Sequence, residues 1–151
     1  MCSSDLGTRL AFAMRRSAGE ASQIWEVDLL GETYRQLTHD APFAPGGAPV
    51  ANAQPTYGPD GRVYFVSTRS GHVADRALRL DTEIWAVAPD TGALQRMTHD
   101  PAPEATPAFF GVGKSYGTLG FTVLRSTPSG DRGVVFRTPL DHDKRLHGDP
   151  E

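Results

Sequence analysis

The stretch Pro-Asp-Gly-Arg-Val-Tyr-Phe-Val-Ser-Thr-Arg-Ser, residues 59–70, decides the fold of this chain. It opens on Pro59-Asp60-Gly61, a hairpin turn in which proline pre-sets φ, aspartate hydrogen-bonds the nearby backbone and glycine tolerates a positive φ. Residues 62–68 then form an apolar run with little alternation, which predicts a strand buried on both faces. A sheet that contains such a strand needs a packing partner on each side.

The end of this stretch is repeated along the chain. The pattern Phe-x-x-x-Arg-Ser occurs at residues 12–17, 65–70 and 121–126. A longer pattern, Ile-Trp-x-Val followed by Thr-His-Asp, occupies residues 24–40 and recurs, shifted by 60 residues, at 84–100. Internal repetition at roughly 50 residues indicates a solenoid, a propeller or an array.

Each repeat contains several short strand patterns separated by turns. In the second repeat, residues 54–58, 83–88 and 94–98 predict strands on either side of the buried one. In the first repeat, residues 9–14, 23–28 and 34–38 predict strands. Four short antiparallel strands make a propeller blade, and complete propellers typically have about 4 to 8 blades. The sequence therefore predicts an all-β fold, a partial β-propeller of about two and a half to three four-stranded antiparallel blades, in a fragment of a longer protein.

The repeats divide the chain into blades and connections. We predict a non-native or disordered start at 1–6, a first partial blade at 7–40, a linker at 41–53, a second blade at 54–100, a third partial blade at 101–140 and a disordered tail at 141–151. The third blade has the weakest pattern, because residues 133–138 stand where the tryptophan strand belongs and contain no tryptophan.

Composition excludes several classes of function. The chain of 151 residues has 15 Lys+Arg and 18 Asp+Glu, a formal net charge of -3, and its basic residues are scattered. We therefore expect no nucleic-acid partner. No apolar run approaches the roughly 18 residues of a membrane span. Cys2 is the single cysteine, which excludes an internal disulfide and a multi-cysteine metal site.

The second repeat carries a family resemblance. Pro59-Asp60-Gly61, Phe65-x-Ser67-x-Arg69, Ile84-Trp85 and Met97-Thr98 resemble the TolB-type repeat, a WD-like propeller blade. The resemblance covers most of residues 7–138. It implies a non-catalytic binding scaffold that recognises a protein or peptide partner, in the periplasm or another extracytoplasmic compartment, with the remaining blades of the parent propeller beside it.

The same repeat is also similar to the N-terminal propeller of prolyl oligopeptidase-type serine peptidases. This similarity implies an alternative, in which the chain is part of a substrate-gating propeller and the catalytic domain is absent from it. Because one fold can carry different functions, the fold alone does not distinguish between these two.

Arg16, Arg69 and Arg125 are the candidate partner-binding residues. They end equivalent strands, so their guanidinium groups are predicted to lie on one rim, where a basic arc would face an acidic partner. The interpretation that we favour is structural: an ion pair or a carbonyl contact within the blade, with the side-chain stem packed on apolar neighbours.

Other chemistry-bearing residues also receive structural interpretations. His39-Asp40 and His99-Asp100 recur at the same place, so we interpret them as strand-ending turns in which aspartate caps backbone amides. Trp25 and Trp85 share strand positions between blades and are interpreted as core side chains.

Two short motifs imitate functional sites. The glycine-rich segment 111–115 resembles a phosphate loop but has Ala108 where that motif needs glycine, so we interpret it as a hairpin. Asp141-His142-Asp143 and His147 offer metal-ligand types within the predicted solvated tail. The chain has no Gly-x-Ser-x-Gly motif, and the sequence predicts no catalytic residue, no cofactor and no metal site.

Overall fold

The computed structural model describes residues 2–3, 7–71, 82–98, 104–110, 118–127 and 130–139. Side-chain burial is described for residues 7–71 and 82–98. His99-Asp100, the glycine-rich segment 111–115 and the tail 141–151 lie outside the described residues, so their interpretations remain predictions.

The regular elements in this described part of the chain are all β-strands. In chain order they are β1 Cys2–Ser3, β2 Arg9–Met14, β3 Gln23–Asp28, β4 Thr33–Gln36, β5 Asn52–Tyr57, β6 Val63–Ser67, β7 Glu83–Val87, β8 Leu94–Arg96, β9 Glu104–Phe110, β10 Thr118–Thr127 and β11 Gly130–Pro139.

The strands form three antiparallel sheets, each a meander of consecutive strands. Sheet 1 has the order β1-β2-β3-β4, sheet 2 has β5-β6-β7-β8, and sheet 3 has β9-β10-β11 among the described strands. Strand β5 of sheet 2 lies against sheet 1, and strand β9 of sheet 3 lies against sheet 2. Separate meanders stacked in chain order confirm the predicted all-β fold, a partial β-propeller.

Sheet 2 is buried on both faces, as its sequence predicts. Strand β6 is buried along its whole length, with Phe65 paired to Trp85 on one face and Tyr64 paired to Ala86 on the other. The face shared with sheet 1 contains the buried cluster Ala11, Ile24, Leu37, Val63, Phe65 and Val87. The opposite face contains Tyr64, Val66, Ile84, Ala86 and Met97. Alternation along each strand divides the apolar side chains between these clusters.

The turn before β6 forms as the Pro-Asp-Gly pattern predicts. The amide of Gly58 donates to the carbonyl of Arg62 at 2.8 Å, and Gly61 has a φ of 76°. The carboxylate of Asp60 accepts the Arg62 amide at 3.2 Å and the Tyr64 hydroxyl at 3.1 Å. The turn aspartate therefore contacts both the backbone and the buried strand that follows it.

The outer strands end earlier than their sequences predict. Strand β4 ends at Gln36 and β8 at Arg96, although the apolar and β-branched residues continue to Thr38 and Thr98. The ladder ends there because a threonine hydroxyl takes the place of a backbone carbonyl as the hydrogen-bond acceptor. The amide of Ile24 donates to Thr38 Oγ1 at 2.9 Å. The amide of Ile84 donates to Thr98 Oγ1 at the same distance.

Two strand positions differ from the sequence prediction. Cys2–Ser3 forms β1, paired with Ala11 and Leu10, within a segment for which no strand is predicted. Strand β5 begins at Asn52, inside the predicted linker 41–53, because the amide of Asn52 is held by the hydroxyl of Ser22 at 2.9 Å. Pairing to a neighbouring element organises both segments, and neither has a strong strand pattern of its own.

Candidate functional site

The strand-end aspartate of sheet 1 reaches across to sheet 2. Asp40 Oδ2 accepts a hydrogen bond from Asn52 Nδ2 at 2.7 Å and lies 3.1 Å from Arg69 Nη2. Its backbone amide donates to Gln23 Oε1 at 3.1 Å. The expectation that this carboxylate caps backbone amides is therefore wrong: it binds side chains of the next sheet, because the stacking of the sheets brings a guanidinium and an amide within reach.

Arg69 is held from several directions. Its guanidinium lies 4.7 Å from the ring centre of Trp85 and 5.1 Å from that of Phe65, and its Nε donates to Ser67 Oγ at 3.0 Å. Burial lowers the pKa of Arg69, and the nearby Asp40 carboxylate opposes that shift. The packing on apolar neighbours is what the structural interpretation of the repeated arginines expects, but the ion pair is not, because Asp40 comes from the preceding sheet and not from the blade of Arg69. We call the pair of Asp40 and Arg69 the inter-sheet ion pair.

Arg16, the equivalent residue of sheet 1, keeps only part of this arrangement. Its guanidinium lies 4.5 Å from the ring centre of Trp25, the geometry of a cation–π contact. The side chain is exposed, and no described acidic side chain forms an ion pair with it. The side chain of Arg125 lies outside the described residues, so its role remains a prediction.

The tryptophans confirm the prediction that they are core side chains, but their indole nitrogens differ. Trp25 is 7% exposed and Trp85 packs against the cluster between sheets 1 and 2. Trp85 Nε1 donates to Glu83 Oε2 at 3.3 Å, whereas the buried Trp25 Nε1 has no hydrogen-bond partner among the described residues. Gln23 stands in sheet 1 where sheet 2 has Glu83, and its amide binds the strand end instead.

A cavity of about 300 Å³ lies beside Arg16 and Trp25. It is lined by Arg16, Glu20, Ala21, Gln23, Trp25, Gln36, His39, Asp40 and Pro42. The repeated residues Arg16, Trp25, His39 and Asp40 were visible in the sequence. Glu20, Gln36 and Pro42 do not recur in the other repeats, so the sequence does not predict that they line a cavity. The one signal in the sequence is Gln23, which stands where the second repeat has Glu83.

The loop between sheets 1 and 2 forms an ordered hairpin, which we call the linker hairpin (residues 42–50). Phe43 and Pro49 form an antiparallel bridge, the amide of Ala44 donates to the carbonyl of Ala48 at 2.8 Å, and that of Val50 donates to Pro42 at 3.0 Å. Ala44 and Val50 pack with Ala21 in a small buried cluster. Phe43 points outward with 59% of its surface exposed.

The buried carboxylates of the described residues have structural partners. Glu26 accepts the Tyr57 hydroxyl at 2.8 Å and pairs with Arg35 at 2.5 Å. Glu83 is fully buried and binds Ser70 and Arg96. These contacts satisfy each carboxylate, as burial requires. Inside the sheets, these acidic side chains therefore act as hydrogen-bond acceptors and ion-pair partners.

In the part of the chain that the structure describes, no helix has the length and apolar character needed to cross a membrane. No group of three or more histidine, cysteine, aspartate or glutamate side chains is arranged there to hold a metal ion.

Comparison with solved structures identifies the fold. The chain is similar to a putative TolB from Agrobacterium tumefaciens, with a TM-score of 0.64 and 20% identity over 95% of this chain and 45% of that chain. TolB from Acinetobacter baumannii is matched with a TM-score of 0.35 and 16% identity over 91% of this chain and 39% of that chain. Comparisons with protein-family models and with curated proteins find no match.

The first of these similarities shows the fold, that of a TolB-type β-propeller, which the repeat resemblance predicts. The chain spans less than half the length of either TolB structure, 45% and 39%. The described sheets are thus consecutive blades of a partial propeller.

Proposed function

We propose that this chain is part of a non-catalytic, TolB-like β-propeller scaffold that recognises a protein or peptide partner. The observation that carries the proposal is the linker hairpin, which holds Phe43 outward with 59% of its surface exposed. Aromatic side chains, phenylalanine among them, are enriched in protein interfaces relative to the rest of the surface. Binding by a loop that is already ordered costs little conformational entropy.

The hairpin stands beside polar groups that a polypeptide would use. Pro42 at its base lines the cavity that also contains Glu20 and His39, both exposed. An apolar anchor next to a polar rim is the usual make-up of a protein or peptide interface. The cavity residues would then set the orientation of a segment anchored by Phe43.

The test is selection of peptides from a displayed library on the whole immobilised chain, followed by affinity measurement on variants. We expect Phe43→Ser to weaken selected peptides by about tenfold or more, which is the loss of a hot-spot side chain. The matched control is Leu30→Ser, which removes another exposed apolar side chain, 80% exposed, from a turn of sheet 1. The proposal would be contradicted if the selected peptides bound Phe43→Ser with unchanged affinity, or if Leu30→Ser reduced their affinity by as much as Phe43→Ser does.

Two further parts of the proposal rest on the repeat resemblance alone. We propose a location in the periplasm or another extracytoplasmic compartment, to be checked by cell fractionation of the parent protein. We also propose that the parent protein lacks catalysis of its own. A Gly-x-Ser-x-Gly motif downstream in its reading frame, with peptidase activity, would instead establish the prolyl oligopeptidase-type alternative.

A further inference from the structure

Sheet 2 contains a buried carboxylate that sheet 1 lacks at the equivalent position. The fully buried Glu83 accepts the indole N–H of Trp85 at 3.3 Å. The same carboxylate accepts the hydroxyl of Ser70 and pairs with the guanidinium of Arg96. It therefore has two neutral donors and a cation around it, as a buried charge requires.

Both members of that ion pair are replaced by amides in sheet 1. Gln23 precedes Trp25 by two residues, which is the position of the buried glutamate in sheet 2. Gln36 is the cross-strand partner of Trp25, which is the position of the arginine. Gln23 binds the carbonyl of Asp40 at 2.8 Å and its amide at 3.1 Å, and Gln36 donates to the carbonyl of Thr38 at 2.7 Å. Both amides are thus engaged at the strand end, and neither accepts the indole N–H.

The indole N–H of Trp25 is left as a buried donor next to a cavity. Trp25 is 7% exposed, and its Nε1 has no acceptor among the described residues. The same side chain lines the cavity of about 300 Å³, together with the exposed Arg16. A buried donor without an acceptor is costly, so a ligand that supplies an acceptor here gains a hydrogen bond that the described fold does not make.

The charges around the cavity favour an anion beside Trp25. The guanidinium of Arg16 lies 4.5 Å from the centre of the indole ring, and no described acidic side chain forms an ion pair with it. Two carboxylates also line the cavity. That of Asp40 is already paired with Arg69, and that of Glu20 belongs to an exposed side chain, where solvent and salt screen its charge.

We infer that this cavity is a binding site for a carboxylate, which accepts the indole N–H of Trp25 and pairs with the guanidinium of Arg16. The chemical class follows from sheet 2, where the group bound to the equivalent indole is the carboxylate of Glu83. Arg16 then neutralises the ligand as Arg96 neutralises that side chain. The carboxylate belongs either to a small organic acid or to an acidic side chain of a peptide. The site does not include Phe43, so the inference does not rest on the proposed function.

The test is a titration of the whole isotope-labelled chain at constant ionic strength. The chain has two tryptophans, so Trp25 and Trp85 give two indole N–H resonances, which Trp25→Phe assigns. The probes are propanoate and N-acetyl-glutamic acid α-amide, each with its neutral counterpart, propanamide or N-acetyl-glutamine amide. We expect the acids to move the Trp25 resonance saturably while the Trp85 resonance stays in place. The neutral counterparts should bind about tenfold more weakly or worse, because the charge-assisted hydrogen bond is lost.

The two acids also distinguish the two sources of the carboxylate. Tighter binding of propanoate assigns the site to small organic acids, and tighter binding of the capped glutamate assigns it to an acidic side chain of a peptide. Either result supports the inference, because the recognised group is the same.

Variants of the chain complete the test. Arg16→Gln should weaken propanoate by about tenfold or more, and the matched control Arg15→Gln, which removes an adjacent exposed charge, should not. The double variant Gln23→Glu with Gln36→Arg rebuilds the ion pair of sheet 2. Its Trp25 resonance should be displaced without any ligand, and propanoate should no longer move it. The Trp85 resonance reports whether sheet 2 remains folded, and if the double variant disturbs it, the Arg16→Gln result decides.

Several results would overturn the inference. They are a Trp25 resonance that does not move saturably, equal affinity for the neutral counterparts, and equal loss with Arg15→Gln. Glu20→Gln should keep or strengthen the binding of propanoate; a loss would show that this carboxylate holds the ligand, as it would a cation. Phe43→Ser should leave the propanoate titration unchanged, so failure of this inference and failure of the proposed function are distinguishable.

Discussion

Arg69 Nη2 lies 3.1 Å from Asp40 Oδ2, and this ion pair joins sheet 2 to sheet 1. The two side chains are 10% and 15% exposed, so solvent screens the pair only partly. Asn52 donates to the same oxygen at 2.7 Å, which adds a neutral hydrogen bond to the charged one. The contact between the sheets is thus polar at the strand ends and apolar in the middle.

The inter-sheet ion pair leads to a stability prediction. Asp40→Ala leaves the guanidinium of Arg69 without its carboxylate in a mostly buried position, so we expect a loss of about 2 kcal/mol or more in the free energy of unfolding. Urea unfolding of Asp40→Ala, Arg69→Met and the double variant measures the coupling, expected at about 1 kcal/mol or more. Arg15→Ala, at an exposed arginine, is the control and should change little. Additive losses in the double variant would contradict a direct pair.

Gly58 leads to a prediction about the turn before β6. A Cβ added at Gly58 would lie 2.5 Å from Cε2 of Tyr64, whose ring is fully buried and cannot move aside. Gly58→Ala should therefore destabilise the chain by about 1–3 kcal/mol. Gly31→Ala is the matched control, because its Cβ meets nothing closer than 3.7 Å. Thermal unfolding compares the two, and equal melting temperatures would argue against a tight contact.

Tyr64 leads to a prediction about alkaline pH. Burial, reinforced by the Asp60 carboxylate that accepts its hydroxyl at 3.1 Å, raises the pKa of Tyr64 well above its usual value of about 10. The folded chain thus keeps a proton that the unfolded chain loses above about pH 10. This contribution to stability is complete below about pH 10 and is lost as the pH rises toward the folded-state pKa.

We therefore expect Tyr64→Phe to flatten the fall of stability above about pH 10, as measured by urea unfolding across a pH series. The background ionisation of lysines and other groups is common to both proteins and cancels in the comparison. Tyr34→Phe, which removes a phenol on a 72% exposed side chain, is the control. If the free energy of unfolding falls with pH as steeply in Tyr64→Phe as in the unmodified chain, the buried phenol is not the cause of the fall.

The exposed apolar side chains of sheet 1 lead to a prediction about solution behaviour. The 151-residue chain should self-associate or remain partly unfolded, because Met14 and Tyr34, which share one face of this sheet, are 39% and 72% exposed. Light scattering across a concentration series should show association, and Met14→Glu should reduce it. Leu30→Glu, in a turn, is the matched control and should reduce it less. A cooperative thermal transition from a monomer at low concentration would contradict the prediction.

Much of the fold could be predicted from local pattern. The strands Arg9–Met14 and Gln23–Asp28 have the bounds that their apolar residues and turns indicate. The turn at 58–61 and the double burial of β6 follow from the chemistry of proline, aspartate and glycine and from a run of apolar residues. These features depend on residues close in sequence, so the sequence is enough to predict them.

The candidate site could be predicted only in part. Repetition pointed to Arg16, Trp25, His39 and Asp40, yet it could not show that the equivalent arginines have different surroundings. Arg69 finds Asp40 because a preceding sheet stands beside it, and the described residues provide no such acid for Arg16. The difference depends on which sheet neighbours each blade.

The sequence by itself determined that this chain is built of repeated β-blades, because turn chemistry, strand burial and a threefold Phe-x-x-x-Arg-Ser pattern are local properties. Only the tertiary structure decided what the repeated polar residues do. Asp40 and Arg69 are 29 residues apart and meet when two sheets stack. The ion pair does not exist until the apolar faces of sheets 1 and 2 have packed and brought the two strand ends together.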